Sequence, residues 1–564
     1  MAKTVAIGIQ SFDKIIEGNY FYIDKTSFIK EWWESGDDVT LITRPRRFGK
    51  TLNMSMLEQF FSVDYAERGE LFEGLSIWEE EKYRELQGTY PVISLSFARI
   101  KEKDYKKTKA KIYEVIRNEY IKYSFIKDSD VLTDADRDTF NRMLSRDMEE
   151  TDATSGLYQL SDFMYRYYGK KVIILLDEYD TPMQEAYVNG FWDELVAFTR
   201  SLFNSTFKTN PYMARAVMTG ITRVSKESIF SDLNNLKVVT TTSNEYATWF
   251  GFTEQEVFCA LEDCGYGNRK EEIKRWYDGF VFGEQKDIYN PWSILNFLDT
   301  GKLATYWANT SSNSLVGKLI REGSKRVKLS FETLLLGNTI CCPMDEQIVY
   351  NQLDNSEGAI WSLLLASGYL KVIHYESEEN VVGGGFPKYE LELTNFEVKR
   401  MFERMVHTWF EEQEGNYNDF VEALILGDLD AMNEYMNRVA EQMFSSFDGG
   451  IKPSKSQPER FYHGFVLGLI VDLSDRYVIT SNRESGFGRY DVVIEPKDKK
   501  EDAIILEFKV FHSKKETSLE DTVASALAQI KEKNYEADLI RKGIPAEHIR
   551  KYGFAFEGKK VLIG

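Results

Sequence analysis

Cysteine is scarce in this 564-residue chain: Cys259, Cys264 and the adjacent Cys341 and Cys342 are the only four. They form no paired CxxC knuckles, and so few thiols over such a length exclude a zinc ribbon and a disulfide scaffold. Long apolar runs are missing too. VIILL at 172–176 and FVLGLIV at 465–471 are the longest, far short of the roughly 20 residues that span a bilayer. The opening MAKTVAIGIQ lacks the apolar core of a signal peptide. These absences set the expectation of a cytoplasmic protein with no membrane partner. There is no basic excess either: 70 Lys and Arg against 90 Asp and Glu leave a net charge of −20. That balance excludes coating of nucleic acid by a general basic surface, so any polyanion must bind in a local groove. No repeat or low-complexity tract is evident.

What is present is material for cores. Apolar residues are 43% of the chain, with 37 Phe, 32 Tyr and 10 Trp, unlike a disordered sequence. At roughly 150 residues per domain, the length predicts three or four domains. Short apolar strands at TLITRP, 90–97, 170–180 and 214–222 alternate with charge-rich helical stretches, a pattern that predicts a parallel α/β sheet over residues 1–290. Residues 291–455 read as a helical middle region, compatible with a winged helix. Its segments are SILNFLDT, SEGAIWSLLLASGYLKVI and NFEVKRMFERMVHTWFEEQ, with one strand-like interruption at KYELELT. A polar stretch with two prolines, 449–459, reads as a linker. Residues 456–564 then read as a compact α/β unit: a helix at RFYHGFVLGLIVDL, strands, and a helix at SLEDTVASALAQIKEKNY.

The first strand runs into Arg44-Pro45-Arg46-Arg47-Phe48-Gly49-Lys50-Thr51 and then an amphipathic helix. This is the frame of the phosphate-binding loop GxxxxGK[ST], with Arg44 in place of the first glycine. Such loops approach phosphate with glycine N–H groups, neutralise it with Lys and bind Mg²⁺ through Ser or Thr. Arg47, Gly49, Lys50 and Thr51 are therefore candidate ATP contacts, the alternative being a basic turn. The buried run 172–176 ends in Asp177-Glu178. There Asp177, with Thr51, would hold Mg²⁺, and Glu178 would orient or deprotonate water. At the end of the next strand, Thr219 and Thr222 would sense the terminal phosphate and Arg223 would touch it in cis. A polar strand end is the plainer alternative for these residues.

FYIDKTSFI, RPRRFGKT, ILLDEYDTP, TGITRVS, WYDGFVFG and YNPWSILNF together resemble the AAA-ATPase-like proteins that carry a C-terminal PD-(D/E)XK nuclease-superfamily domain. The resemblance spans nearly the whole chain, weakest between about 300 and 450. It implies a P-loop NTPase domain, a middle region and a C-terminal restriction-endonuclease-like domain. In that family loops like RPRRFGKT are usual. The motifs around Tyr277-Asp278-Gly279-Phe280 and Asn290-Pro291-Trp292 match it without an assigned chemistry and read as a packed hinge at the domain boundary.

In the C-terminal unit, GRYDVVI at 488–494 and AIILEFKV at 503–510 flank a polar turn, which predicts a hairpin. Centred on Lys499, it pairs positions that sum to 998, so Asp491 falls opposite Glu507. The period of two then puts Lys509 on the face of Glu507. Two carboxylates and an ammonium at one place suit Mg²⁺ or Mn²⁺ and phosphodiester hydrolysis, with Lys509 positioning or deprotonating water. A solvated charged hairpin is the alternative. The superfamily resemblance adds Glu459 as an accessory metal ligand and Gln529 as a helix-borne active-site glutamine. Glu484, Arg489 and Tyr535 also fall in family-like motifs, where a salt bridge or a core phenol serves equally well. His463 reads as a packing residue and the lysines of 514–521 as a solvated face.

Two functions compete. One is a nucleotide-regulated, metal-dependent nuclease with nucleic acid, first DNA, as substrate. The other is an ATP-dependent switch whose nuclease fold binds nucleic acid or a partner without cleavage. The three chemical types at 491, 507 and 509 favour the first and the acidic balance favours the second. The sequence leaves the oligomeric state open.

Overall fold

The run Val172–Asp177 is buried at every position, a state a strand reaches inside a sheet covered on both faces. In the computed structural model it is β3 of a five-stranded parallel sheet with the order β2-β3-β4-β1-β5. The strands are β1 (Val39–Thr43), β2 (Val92–Ser96), β3 (Val172–Asp177), β4 (Met213–Gly220) and β5 (Leu236–Val239). The structure describes residues 3–223, 229–230, 232–308, 314–344, 353, 356–376, 387–411, 417–443, 466, 470, 473, 476–481, 484–485, 488–489, 492–512, 516–557 and 560–564.

Because all five strands run the same way, their C-terminal ends share one edge, where ligands of open α/β sheets bind. That edge carries the turn after Thr43, the Asp177-Glu178 pair and the Thr219–Arg223 segment. Strand β4 lies between β1 and β3, pairing Ile42 with Thr219 and Leu176 with Met218. Helix α1 (Lys50–Phe61) follows β1; α2 (Tyr105–Lys122) and α3 (Glu150–Tyr168) lie between β2 and β3, and α4 (Trp192–Phe207) between β3 and β4.

The chain divides into two compact units, 1–319 with 337–399, and 320–336 with 400–564. The expected middle region is thus shared between them. In the first unit, β6 (Phe252–Thr253), β7 (Asp278–Phe282) and β8 (Gln285–Tyr289) form a small antiparallel sheet that leads into α5 (Pro291–Thr300). Strands β9 (Ile340–Pro343), β10 (Leu370–Glu376) and β11 (Lys388–Leu393) form another, in the order β10-β11-β9. The segment SEGAIWSLLLASGYLKVI was expected to be helical throughout. Only its first part is, as α6 (Glu357–Ala366); Gly368 at φ +85° ends the turn after it, and the β-favouring run from Leu370 becomes β10. Residues Ala359 to Leu365 of α6 are all buried, so this helix is a core element. Helix α7 (Phe396–Glu411) begins in the first unit and continues in the second.

The second unit holds a mixed sheet of order β12-β15-β16-β17-β18, with a two-stranded pair β13 (Glu484–Ser485) and β14 (Gly488–Arg489). Its strands are β12 (Tyr477–Ser481), β15 (Val492–Pro496), β16 (Ala503–Val510), β17 (Ile549–Glu557) and β18 (Lys560–Ile563). The described β15–β16 pairs, Val492 with Leu506, Val493 with Ile505 and Ile494 with Ile504, all sum to 998 as expected. Alternation separates the faces: Val492, Ile494, Ile504, Leu506 and Phe508 pack with Phe420, Leu424 and Met436. Val493, Ala503 and Ile505 pack with Ile530, Tyr535 and Leu539. Helix α8 (Leu519–Glu532) covers this second face through Val523, Ala526 and Ile530.

Candidate active sites

Between Thr43 and Lys50 the chain makes the turn that the phosphate-loop frame anticipated. Gly49, at φ +80°, caps α1, a left-handed conformation that favours glycine. A Cβ added there would meet no atom within 4 Å; the space beside Gly49 is open for a phosphate, so the loop fits the group. Arg44, at the first-glycine position, does not face that space. It is fully buried and donates to the carbonyls of Thr43 (2.9 Å), Thr240 (2.6 Å) and Glu245 (3.1 Å). Its guanidinium also lies 4.7 Å from the ring centre of Phe282, and burial pushes its pKa down to about 9. The residue that departs from the general loop pattern is therefore an internal strut.

The Lys50 ammonium donates to the carbonyls of Arg44 and Pro45, both at 2.8 Å, and burial lowers its pKa against the pull of Glu178 and Asp177. Thr51 Oγ1 donates to Asp177 Oδ2 at 2.7 Å, and Thr219 Oγ1 donates to Asp177 Oδ1 at 2.5 Å. Burial raises the Asp177 pKa, opposed by these two hydroxyls. Thr51 and Asp177 thus bring together hard oxygen donors of the kind Mg²⁺ takes. Glu178, at φ +53°, is half-buried, and its carboxylate accepts from Thr181 Oγ1 at 3.1 Å. Arg47, Gly49, Lys50, Thr51 and Glu178 line one cleft of about 580 Å³, a size suited to a small-molecule ligand. Asp177 lies beneath it. Thr219 is buried and spans Asp177 and the N–H of Glu178, so it reaches the cleft only through them. The hydroxyl and N–H of Thr222 are both spent on Asp180 Oδ2, each at 2.8 Å. Arg223 is half-buried and is not among the residues that line the cleft.

The supposed hinge motifs pack around the loop instead. Asn290 Oδ1 accepts from the N–H groups of Trp292 and Ser293, capping α5, while its amide donates to the Arg46 carbonyl at 3.3 Å. Trp307 Nε1 donates to the same carbonyl at 2.9 Å. Phe280 packs edge-on to Phe48, ring centres 4.7 Å apart. A Cβ on Gly279, at φ +134°, would fall 1.9 Å from Thr394 O, so this turn admits only glycine. Glu397 fastens the next layer: its carboxylate accepts from Ser293 Oγ at 2.7 Å and from the Trp307 N–H at 2.6 Å. The Asn-Pro-Trp sequence was a usable signal for part of this clasp. Trp307 and Glu397 carried none, being distant from the loop in sequence and in no motif.

In the second unit, odd-numbered positions of β16 face α8, and Glu507 and Lys509 belong to that set. Glu507 is 3% exposed and accepts from Gln529 Nε2. Gln529 Oε1 accepts from Lys509 Nζ at 2.8 Å, and Tyr535 OH lies 3.2 Å from Gln529 Nε2. One amide thereby bridges the carboxylate and the ammonium. The bridge depends on close approach of α8, because a Cβ on Gly553, the β17 partner of Glu507, would lie 2.9 Å from Val523 O. Asp491, Glu459 and His463 lie outside the described residues, as does most of the expected 460–473 helix. Glu484 and Arg489 pair across β13 and β14. The carboxylate of Glu507 is an oxygen donor of the kind a hard divalent cation takes.

A third carboxylate group, Glu254, Asp278 and Asp287, has oxygens within 4.8 Å of one another. The Lys274 ammonium sits among them, paired with Glu254 and 3.6 and 3.8 Å from Asp287 and Asp278. A built-in cation already offsets part of the charge of this cluster. Burial and the Asp287 carboxylate push Asp278 up to about 7.

Comparison with known proteins matches the two regions that hold the phosphate loop and the Glu507–Lys509 strand. Residues 6–230 match the family model of a predicted AAA-ATPase, and residues 457–564 match the PD-(D/E)XK nuclease superfamily. A protein of Azotobacter chroococcum mcd 1, described as an uncharacterized protein in the vnfD 5' region, is 26% identical over 402 residues, 70% of this chain and 68% of its own length. No helix among the described residues is long and apolar enough to cross a membrane.

Proposed function

We propose, for a chain that joins an AAA-ATPase-like region to a PD-(D/E)XK nuclease-superfamily region, that it is a nucleotide-regulated, metal-dependent nuclease. Its substrate is nucleic acid, with DNA the first choice. On this reading 1–290 is the NTPase domain, 291–455 the middle region and 456–564 the nuclease domain. The observation that carries the proposal is the Lys509–Gln529–Glu507 bridge: a buried carboxylate and an ammonium on one strand face, joined by an amide from the helix that covers it. Glu507, with Asp491 and Glu459, would hold Mg²⁺ or Mn²⁺, which when bound makes water a stronger nucleophile and offsets charge on the phosphodiester. Lys509 carries only donors; its part is to orient the attacking water. Gln529 fixes the distance between the two.

At the other site, Lys50, Arg47 and the Gly49 N–H meet the phosphates of ATP, with Thr51 and Asp177 as the Mg²⁺ ligands. Thr219 orients Asp177, Glu178 addresses water and Arg223 lies on the segment that follows. Lys50 must exchange two loop carbonyls for phosphate oxygens, and this supports slow turnover. Regulation rests on chain order. Helix α7, which leaves the first unit, carries in its first turn the Glu397 that holds Trp307, and Trp307 holds the loop.

A second reading, a switch that binds without cutting, has the net charge of −20 in its favour. Purified full-length protein incubated with plasmid, linear and single-stranded DNA, and with RNA, separates the two. Cleavage that needs Mg²⁺ or Mn²⁺ and disappears in Glu507→Ala, while ATP still shifts the melting temperature of that variant, is the expected result. Metal-dependent cleavage surviving in Glu507→Ala, or no cleavage by wild type of any substrate, overturns it.

A further inference from the structure

We infer that Trp292 is a positioning residue: its indole holds the Arg47 guanidinium at the wall of the cleft, ready for the phosphates of a bound nucleotide. The inference deepens the nucleotide reading of the cleft and rests on it. The Arg47 guanidinium carbon lies 4.4 Å from the Trp292 ring centre, within the range of a cation–π contact. Both residues line the cleft with Lys50 and Thr51.

Three further observations set Arg47 apart. Its backbone is left-handed at φ +65°, a conformation that costs a branched-chain or long residue energy and marks functional turns when the surroundings enforce it. The surroundings do enforce it: the preceding carbonyl, that of Arg46, is held by Asn290 Nδ2 and Trp307 Nε1. Asn290 also caps α5 through the Trp292 N–H at 2.9 Å, so one residue fixes both the loop and the platform. Finally, Arg47 makes no ion pair or side-chain hydrogen bond among the described residues, whereas its neighbour Arg46 donates to Gln184 Oε1 at 3.1 Å. A π face orients a guanidinium without using any of its five N–H donors. Those donors stay available for anionic oxygens, which is the state a phosphate-binding arginine requires.

The test is a double-mutant cycle read by calorimetric titration of ATP and of AMP at fixed free Mg²⁺, with Lys50→Ala alongside. Arg47→Ala should weaken ATP binding about 10-fold or more, as loss of a charge-assisted contact does. Trp292→Ala should weaken it about 2- to 5-fold, Trp292→Phe by less, and neither should change AMP binding as much. In the Arg47→Ala background, Trp292→Ala should add nothing. The same fold-loss from Trp292→Ala in both backgrounds would show that the indole merely packs, and would overturn the inference while leaving ATP binding established. No ATP binding by wild type, or equal binding by wild type and Lys50→Ala, would overturn the nucleotide reading itself and the inference with it.

Discussion

The phosphate loop and the β15–β16 hairpin solve the same problem, holding charged side chains in a fixed array, by opposite means. In the hairpin the array comes from local arithmetic. A turn near Lys499 and a period of two put Glu507 and Lys509 on one face, and a single helix brings Gln529 to them from about 20 residues away. In the loop almost nothing local suffices. Arg44 is anchored on carbonyls nearly 200 residues on, and Arg46 is held by Asn290 and Trp307, 244 and 261 residues on. An array built on local periodicity can be read from sequence; one built on distant contacts cannot, however strong its motif.

The two designs should fail differently. The largest effect is expected at Arg44. Arg44→Ala leaves three inward-facing carbonyls without their donor and should cost about 3–5 kcal/mol, seen as a large drop in the thermal transition of the ATPase-like unit. Arg46→Ala, which loses one hydrogen bond to Gln184, should cost about 1 kcal/mol or less. Similar losses from the two would break the contrast between strut and surface.

Next is Gly553→Ala. The added methyl meets Val523 O at 2.9 Å and Ala526 Cβ at 3.0 Å, so α8 must move outward, at about 1–3 kcal/mol. Because Gln529 rides on α8, cleavage should fall further than stability does. Cleavage unchanged in a folded Gly553→Ala would show that the amide bridge has no part in it.

Glu397 provides a pH test of the loop's outer layer. Burial pushes its pKa up to about 7, against hydrogen bonds from Ser293 and the Trp307 and Ala308 N–H groups. The folded state thus binds its proton more tightly than the unfolded chain does. Its contribution to stability is present below the ordinary carboxylate range, near pH 4.5, and is lost as pH rises through about 7. Relative to wild type, Glu397→Gln should gain on the order of 2 kcal/mol between pH 5 and pH 8 in denaturant unfolding. A flat difference would mean that Glu397 stays ionised throughout. The smallest effect belongs to the exposed Lys542–Glu495 pair, 44% and 23% exposed. Lys542→Ala should change stability by less than about 1 kcal/mol, and less still in high salt.

Much of this was legible in the sequence. The alternating strands gave the parallel sheet, GKT and the Asp177-Glu178 pair pointed to the one edge of it where they meet, and the sum of 998 matched the hairpin register at all three described pairs. What escaped has physical reasons. The strand after Gly368 was absorbed into a helix because LLLASGYLKVI is mostly apolar, and a short apolar run has no period to distinguish the two. Arg44 looked like a damaged glycine because its partners are backbone carbonyls, which leave no trace in residue type. Asn290 and Trp292 looked like a hinge because an aromatic motif states that it packs, not against what.

The central claim, that one chain couples nucleotide state to cleavage, is tested most directly by the rate of metal-dependent DNA cleavage. Wild type and Glu178→Gln should be compared without nucleotide, with ADP and with ATP, at fixed free Mg²⁺ because nucleotides chelate it. Coupled sites typically differ by about 5- to 150-fold. The account predicts a nucleotide-dependent difference in that range, with Glu178→Gln held in its ATP-bound rate; identical rates in every condition for both proteins would contradict it.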